Sequence, residues 1–218
     1  MAQMNVFTSR QRFYDIAEEV RRIIFSKQFT PTDTLLDGFE SYADSTALNV
    51  VWSSAANSTL TLRTDIRKFG TNSMRAVISG GNGDIYRAFP TYMHGTTAWD
   101  LRPYPHQLKR ITFFAKIDSS TDTIGVTLRS SANRAGLYRT WNVAVDSTAW
   151  TEYNVNLTAS ASASAGTWNP ASIDEVAFTN LATGRTFDFD HIDLSTTDFQ
   201  MLQYTGLREN TNNFQYFQ

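Results

Sequence analysis

The chain has 218 residues and a formal net charge of −2, and it contains no cysteine, which excludes disulfides and thiolate metal sites. No basic stripe of the kind that follows a phosphate backbone is present, and no segment approaches the roughly 20 apolar residues of a membrane span, so neither nucleic acid nor a membrane is an expected partner. Residues 1–7 show no charged segment followed by an apolar one, so no signal peptide is expected.

An N-terminal α-helix is predicted over residues 8–27. Apolar side chains recur there at helical spacing and form one stripe, which includes Phe13, Ile16, Val20, Ile23 and Ile24. A lone helix of this length is marginal in water, so the stripe has to pack on something. Two interpretations are open. The helix packs on its own domain, or residues 1–34 form an arm that docks on a neighbouring subunit.

Residues 35–195 show the alternating pattern of half-buried β-strands. One apolar face, for example, consists of Ile111, Phe113, Ala115 and Ile117. A period of two with one apolar face is typical of sheets that pack against each other on one side. The predicted strands are 48–52, 59–63, 73–79, 84–89, 110–117, 123–130, 138–145, 150–157, 174–179 and 186–194.

Short turn signals separate these strands, and no helical pattern lies between them. Parallel crossovers are therefore not expected, and the predicted fold is an all-β, antiparallel jelly-roll β-sandwich. An Ala/Ser run at residues 159–166 predicts a flexible surface loop.

The closing strand contains a change of parity. Phe187 and Phe189 share one parity, whereas Ile192 and Leu194 share the other. A β-bulge near residues 190–191 would account for the change, because the extra residue of a bulge re-aims the side chains around it.

The C-terminal segment, residues 196–218, is polar but contains several large aromatic side chains, among them Tyr204, Phe214, Tyr216 and Phe217. It has no clear period. Either it wraps its own domain, or it is an extended arm that becomes ordered against a partner chain, which we favour because a monomer rarely leaves so many rings in a disordered tail.

Several blocks of the β region resemble the carbohydrate-binding-module-like, galactose-binding-like jelly rolls. Residues 37–40 (Asp-Gly-Phe-Glu) are similar to the opening strand of that family, and residues 69–77 to its "G-S-x-L-x-V" strand. Residues 99–104 resemble "W-D-L-S-x-Y", and residues 187–194 resemble the closing "F-Y-I-D-D-I-R-L". The blocks follow the order of the family over about 160 residues, and the resemblance implies its jelly-roll fold.

The resemblance also implies a structural calcium near the meeting point of the first and last strands. Matched residue by residue, its carboxylate ligands are Glu40 and Asp190, together with a backbone carbonyl from the turn at residues 69–72. Ca²⁺ takes six to eight oxygen ligands. The alternative is a solvated or salt-bridged pair of carboxylates without a metal.

A sugar-binding surface is a further implication, since sugars stack on exposed aromatic faces beside polar groups. Most of the large aromatic side chains are expected to be buried, including Trp52, Trp99, Trp141, Trp150 and Trp168. Tyr104 and Tyr138 each lie beside a loop, and they are the predicted glycan-stacking residues.

No catalytic motif was found in the sequence. His94, His106 and His191 are not at metal-ligand spacing, and no G-x-S-x-G elbow is present. Asp188 and Asp190 are neighbours on one strand face, whereas the two acids of a glycosidase flank the scissile bond from different places. The chain is therefore not expected to be an enzyme.

Two functions are consistent with this layout. The first is a virion structural protein of a tailed phage, such as a capsid decoration, neck or tail component, assembled in the host cytoplasm and bound through its terminal arms to copies of itself and to other virion proteins. The second is a carbohydrate-binding module for a host or environmental glycan. We favour the virion structural protein, because a carbohydrate-binding module is expected beside a hydrolase domain or behind a secretion signal and the sequence shows neither; the module is the alternative, and the fold alone does not decide between them.

Overall fold

The computed structural model of the protein describes residues 34–55, 57–88, 107–119, 121–130 and 137–198. The predicted N-terminal helix and the aromatic C-terminal segment from residue 199 onward lie outside these residues. In chain order the elements are β1 Thr34–Asp37, α1 Ser45–Val51, β2 Trp52–Ser54, β3 Ser58–Arg63, β4 Ser73–Ile78, β5 Gly83–Ala88, β6 Gln107–Ile117, β7 Asp122–Arg129, β8 Tyr138–Val145, β9 Thr151–Asn156, β10 Ala163–Ala165, β11 Glu175–Leu181 and β12 Thr186–Asp198.

Two six-stranded antiparallel sheets form a sandwich, which confirms the predicted jelly-roll fold class. The first sheet has the order β3-β4-β12-β6-β9, with β1 also paired to β12. The second has the order β10-β8-β7-β11-β5-β2. The strands predicted from alternation are present within a few residues of their predicted ends, with the exception of the segment at residues 48–52.

Aromatic side chains join the two sheets at the centre of the core. Phe178 of the second sheet lies 4.9 Å from Phe113 and 4.5 Å from Phe189, measured between ring centroids, and both of these belong to the first sheet. All three are fully buried. Such pairs contribute about 0.5–1.5 kcal/mol beyond the burial of their area, so this contact helps to fix how the sheets face each other.

The prediction of a strand at residues 48–52 is wrong for most of its length, because the chain is helical from Ser45 to Val51. Asp44 is the N-cap, and its carboxylate accepts a hydrogen bond of 2.8 Å from the backbone N–H of Ala47. A cap of this kind satisfies a backbone donor that a helix leaves free. Leu48 is the buried residue of this short helix, and the strand begins only at Trp52.

Two short strands were not predicted. β1 pairs with residues 192–194 in the middle of β12, and β10, which lies inside the Ala/Ser run that was predicted to be a loop, pairs with β8. The prediction of a purely irregular loop at residues 159–166 is therefore wrong for Ala163–Ala165, which form an edge strand opposite residues 138–140.

A buried carboxylate holds the beginning of the domain together. Asp37 Oδ2 accepts hydrogen bonds from the Tyr42 hydroxyl (2.6 Å) and the Trp52 indole N–H (2.7 Å). The same oxygen forms an ion pair with Arg87 of β5, and Asp37 Oδ1 accepts from the backbone N–H of Phe39 at 2.8 Å. The side chains of the pair are 4% and 7% exposed, so the charges are stabilised almost entirely by one another and by these donors.

In the described part of the chain, no helix has the length and apolar character that crossing a membrane requires.

Candidate functional site

The predicted bulge in the closing strand is confirmed. The register between β12 and β6 shifts between Asp190 and Asp193, and His191 has a φ of 47°. The same point is where β12 changes partner along its other edge: β4 pairs with residues 186–189, and β1 pairs with residues 192–194. The bulge therefore marks the junction of three strands with β12.

Asp190 lies at this junction and binds the turn between β3 and β4. Its Oδ2 atom accepts hydrogen bonds from the backbone N–H groups of Lys68 (2.7 Å) and Phe69 (2.9 Å). Asp190 is 1% exposed, and its Oδ1 atom has no hydrogen-bond partner. Burial raises the pKa of Asp190 above its ordinary value, and the interactions with the backbone and with His191 that lower it only partly offset this effect.

Glu40 binds the next part of the same turn. Its Oε1 atom accepts hydrogen bonds of 2.9 Å from the backbone N–H groups of Thr71 and Asn72, and Oε2 accepts from the Thr71 hydroxyl at 2.6 Å. Slight burial raises the pKa of Glu40, but these hydrogen bonds outweigh it and leave the pKa lowered. The two carboxylates thus hold one turn and have pKa values shifted in opposite directions.

The predicted calcium ligands therefore converge on the predicted turn, which presents backbone N–H groups to them. Three of the four carboxylate oxygens accept hydrogen bonds, and Asp190 Oδ1 is the one left without a partner. Within the described residues, no three His, Asp or Glu side chains are grouped closely enough to hold a metal ion. Ca²⁺ needs six to eight oxygen ligands, and the unpaired buried oxygen of Asp190 could supply one of them. Calcium binding at this turn therefore stays a prediction.

A separate cleft of about 400 Å³ opens beside β8, on the side where that strand faces the segment after β9. Arg139 and Trp141 line it from β8, because alternate residues of a strand share a face. The opposite wall consists of residues 157–159 together with Trp168 and Pro170. We refer to this site as the Trp168 cleft.

Hydrogen bonds fix the wall of the Trp168 cleft to the second sheet. The Trp141 indole N–H donates to the Ala159 carbonyl at 3.0 Å, and the Ser162 N–H donates to the Thr140 carbonyl at 2.7 Å. Asn169 N–H donates to the Ser130 hydroxyl at 3.3 Å. The cleft is consequently bounded by tethered backbone on both sides.

A partly buried tryptophan and an exposed arginine are in contact in the cleft. The guanidinium carbon of Arg139 lies 5.3 Å from the ring centroid of Trp168, which is a cation–π distance. Trp141 is 5% exposed and Trp52 is fully buried, as expected, whereas Trp168 is only partly buried and packs against the rim of the core. The expectation of burial is therefore wrong for Trp168, and also for Trp150, which is partly exposed. One signal was present, since Trp168 follows the Ala/Ser run and precedes Asn169-Pro170, outside any strand pattern.

The predicted stacking residues are not part of this cleft. Tyr138 is the first residue of β8, is partly exposed and lies opposite Arg129 of β7, and it is not among the residues that line the cleft. Its neighbour Arg139 points to the opposite face of the strand. Tyr104 lies outside the described residues, so its stacking role and that of Tyr138 stay predictions.

The partner-binding residues predicted in the terminal segments also lie outside the described residues. They are Phe13, Ile16, Val20, Ile23, Ile24, Tyr204, Phe214, Tyr216 and Phe217. Their role in assembly stays a prediction.

No family model and no curated protein matches the sequence. Among solved structures, the arabinose-bound GH51 α-L-arabinofuranosidase MgGH51 matches with a TM-score of 0.52 and 19% identity, over 78% of this chain and 27% of the enzyme. The chain thus corresponds to little more than a quarter of that enzyme.

The carbohydrate-binding module CtCBM11 matches with a TM-score of 0.50 and 18% identity, over 78% of this chain and 98% of the module. The enzymatically active domain of tailspike protein 4 of bacteriophage CBA120 matches with a TM-score of 0.43 and 12% identity, over 67% of this chain and 19% of that one. At these identities a match shows the fold alone, and the tailspike score is too low to support an inference.

Proposed function

We propose that this chain is a non-catalytic glycan-binding module and that the Trp168 cleft is its sugar site. The observation that supports the proposal is the combination, in one cleft of about 400 Å³, of a partly exposed indole with an arginine that has no hydrogen-bond partner among the described residues. Ligand sites in proteins are commonly clefts of roughly 300–1,000 Å³ with apolar walls and a few oriented polar groups. The cleft has this size and this composition.

A sugar ring suits the chemistry of these walls. One side of a pyranose carries C–H groups, and its rim carries hydroxyls. The indole of Trp168 and the ring of Pro170 would contact the C–H side. The Trp168 indole N–H and the Arg139 guanidinium make no hydrogen bond within the described residues, so they are available to bind hydroxyls.

The fold gives independent support. CtCBM11, which shares it at a TM-score of 0.50, is a carbohydrate-binding module, and MgGH51 was solved with arabinose bound. Because the identities are 18% and 19%, the specificity of these proteins is not transferred to this chain. What supports a sugar ligand here is the local chemistry of the Trp168 cleft.

The test is binding of the full chain to a glycan array, followed by calorimetric titration of the best ligand. Trp168→Ala is expected to weaken binding at least tenfold, which corresponds to about 1.4 kcal/mol. Trp150→Ala is the matched control. Trp150 is also partly exposed, but it is not among the residues that line the cleft. It lies beside the first sheet, where the Lys116 ammonium is 5.9 Å from the Trp150 ring centroid.

Thermal unfolding of both variants separates loss of binding from loss of fold. Equal affinity of Trp168→Ala and the unsubstituted chain would place the sugar elsewhere. Absence of binding to every glycan on the array would refute the proposed function.

Assembly into a virion, the function favoured from the sequence, remains a prediction, and it depends on the terminal segments outside the described residues. Light scattering coupled to size-exclusion chromatography of the full chain tests it directly. We expect an oligomer that dissociates when Phe214, Tyr216 and Phe217 are replaced by serine. A stable monomer over a wide concentration range would contradict self-assembly through these residues.

A further inference from the structure

The described lining of the Trp168 cleft carries a single formal charge. Arg139 is the one charged residue among the seven described residues that line it. The segment that forms the opposite wall, residues 157–173, contains no Asp or Glu. Among the described lining residues, a ligand in this cleft therefore meets one positive charge and no carboxylate.

Arg139 differs from the arginines of the two sheets that pair with carboxylates, which are Arg63, Arg75, Arg87 and Arg129. Its guanidinium has neither an ion pair nor a hydrogen bond in the described part of the chain, and its carbon lies over the ring of Trp168, 5.3 Å from the ring centroid. A cation–π contact uses none of the N–H donors of a guanidinium, so its forked N–H groups keep their capacity to bind an acceptor. This fork matches the two oxygens of a carboxylate.

We infer that the glycan recognised by the Trp168 cleft contains a carboxylated sugar ring, such as a uronic acid, whose carboxylate accepts two hydrogen bonds from Arg139. This inference rests on the proposed glycan-binding function and specifies its ligand class. In this arrangement Trp168 holds the guanidinium in place and contacts the apolar side of the sugar. The described lining offers the N–H donors of Arg139 and Trp168 and no carboxylate, which favours an acceptor-rich anion over a neutral sugar.

The experiment compares an oligogalacturonate with the same oligosaccharide after methyl esterification, by calorimetric titration of the full chain at low and moderate salt. Esterification keeps the size and the ring stereochemistry but removes the charge. We expect the acid to bind about 10- to 100-fold more tightly than the ester, the range for a hydrogen bond to a charged group. The preference should decrease as salt screens the partly exposed pair.

Variants assign the preference to the guanidinium. Arg139→Gln should abolish the difference between acid and ester, whereas Arg139→Lys should retain part of it, because an ammonium keeps the charge but not the forked geometry. Arg63→Gln removes the same charge from an arginine that pairs with Asp65 outside the cleft, and it should leave the preference unchanged. Unchanged melting temperatures confirm that the variants are folded.

Equal binding of acid and ester, or a preference that survives in Arg139→Gln, would overturn the inference and leave the proposed function standing. If neither probe binds but a neutral glycan does so through Trp168, the inference also fails. If no glycan of any kind binds, both the inference and the proposed function fail.

Discussion

Removal of the Asp37 carboxylate should destabilise the domain more than removal of any exposed acid. In Asp37→Ala, the guanidinium of Arg87 stays buried without a counter-charge, and the Tyr42 hydroxyl and the Trp52 indole N–H lose their acceptor. Breaking a buried ion pair by removing one partner costs about 3–5 kcal/mol. Since domains are typically stable by only about 5–15 kcal/mol, this loss is a large fraction of the total.

Urea unfolding monitored by tryptophan fluorescence measures the effect, because Trp52 belongs to the cluster. The midpoint should fall while the slope of the transition stays constant, which is the signature of a change in stability alone. Asp65→Ala is the matched control. It also removes an aspartate from an arginine, but the Asp65 side chain is 61% exposed, so little change is expected. If Asp37→Ala costs no more than Asp65→Ala, the reasoning from burial is refuted.

Four further predictions concern the turn between β3 and β4. Burial raises the pKa of Asp190 above its ordinary value of 3.8, so its ionisation in the folded state costs stability as the pH rises from 3.8 through the native pKa. Asp190→Asn removes this cost and should gain stability relative to the unsubstituted chain as the pH increases. Thermal melting in the presence of chelator between pH 3 and 8 measures the difference. Glu40→Gln should lose stability relative to the unsubstituted chain as the pH increases, because the lowered pKa of Glu40 contributes stability above its ordinary value of 4.5 that is lost on acidification. A stability difference that does not depend on pH, in either variant, would contradict the direction of the pKa shift assigned to that carboxylate. Calcium added after chelation should raise the melting temperature. At a free calcium concentration 100 times the dissociation constant, the expected gain in the free energy of unfolding is about 2.7 kcal/mol, and an unchanged melting temperature would argue against the site. Gly70→Ala should destabilise the domain more than Gly184→Ala. Both glycines have a positive φ (55° and 75°), which costs a residue with a side chain roughly 1–2 kcal/mol, but only at Gly70 would the added Cβ also lie 2.2 Å from Glu40 Oε1. Equal losses of stability in the two variants would contradict this contact.

Alternation of apolar residues was sufficient to predict most of the strands. In β6, the four residues Ile111, Phe113, Ala115 and Ile117 are at most 2% exposed, as their shared parity required. The bulge in β12 was predicted for the same reason. A break in the parity of buried residues has to be absorbed by the backbone where it occurs, so the sequence contains that information locally.

Short elements were predicted less well, because their stability comes from partners. β1 has four residues and β10 has three, and neither shows a period of its own. The helix α1 was taken for a strand, although its N-cap, Asp44, was visible in the sequence. An apolar run of this length is compatible with either structure, so the cap was the deciding signal.

For the candidate functional residues too, some features could be predicted from the sequence and others depend on the tertiary structure. Sequence resemblance brought Glu40 and Asp190 to the right turn, since residue type and order are properties of the chain. Only the tertiary structure decided that the turn offers N–H groups to them, because the direction of peptide groups depends on the path of the backbone. The Trp168 cleft is also a product of the fold. Arg139 and Trp168 are 29 positions apart in the sequence, and they meet because hydrogen bonds to β8 and to the end of β7 bring the segment after β9 back across the sheet.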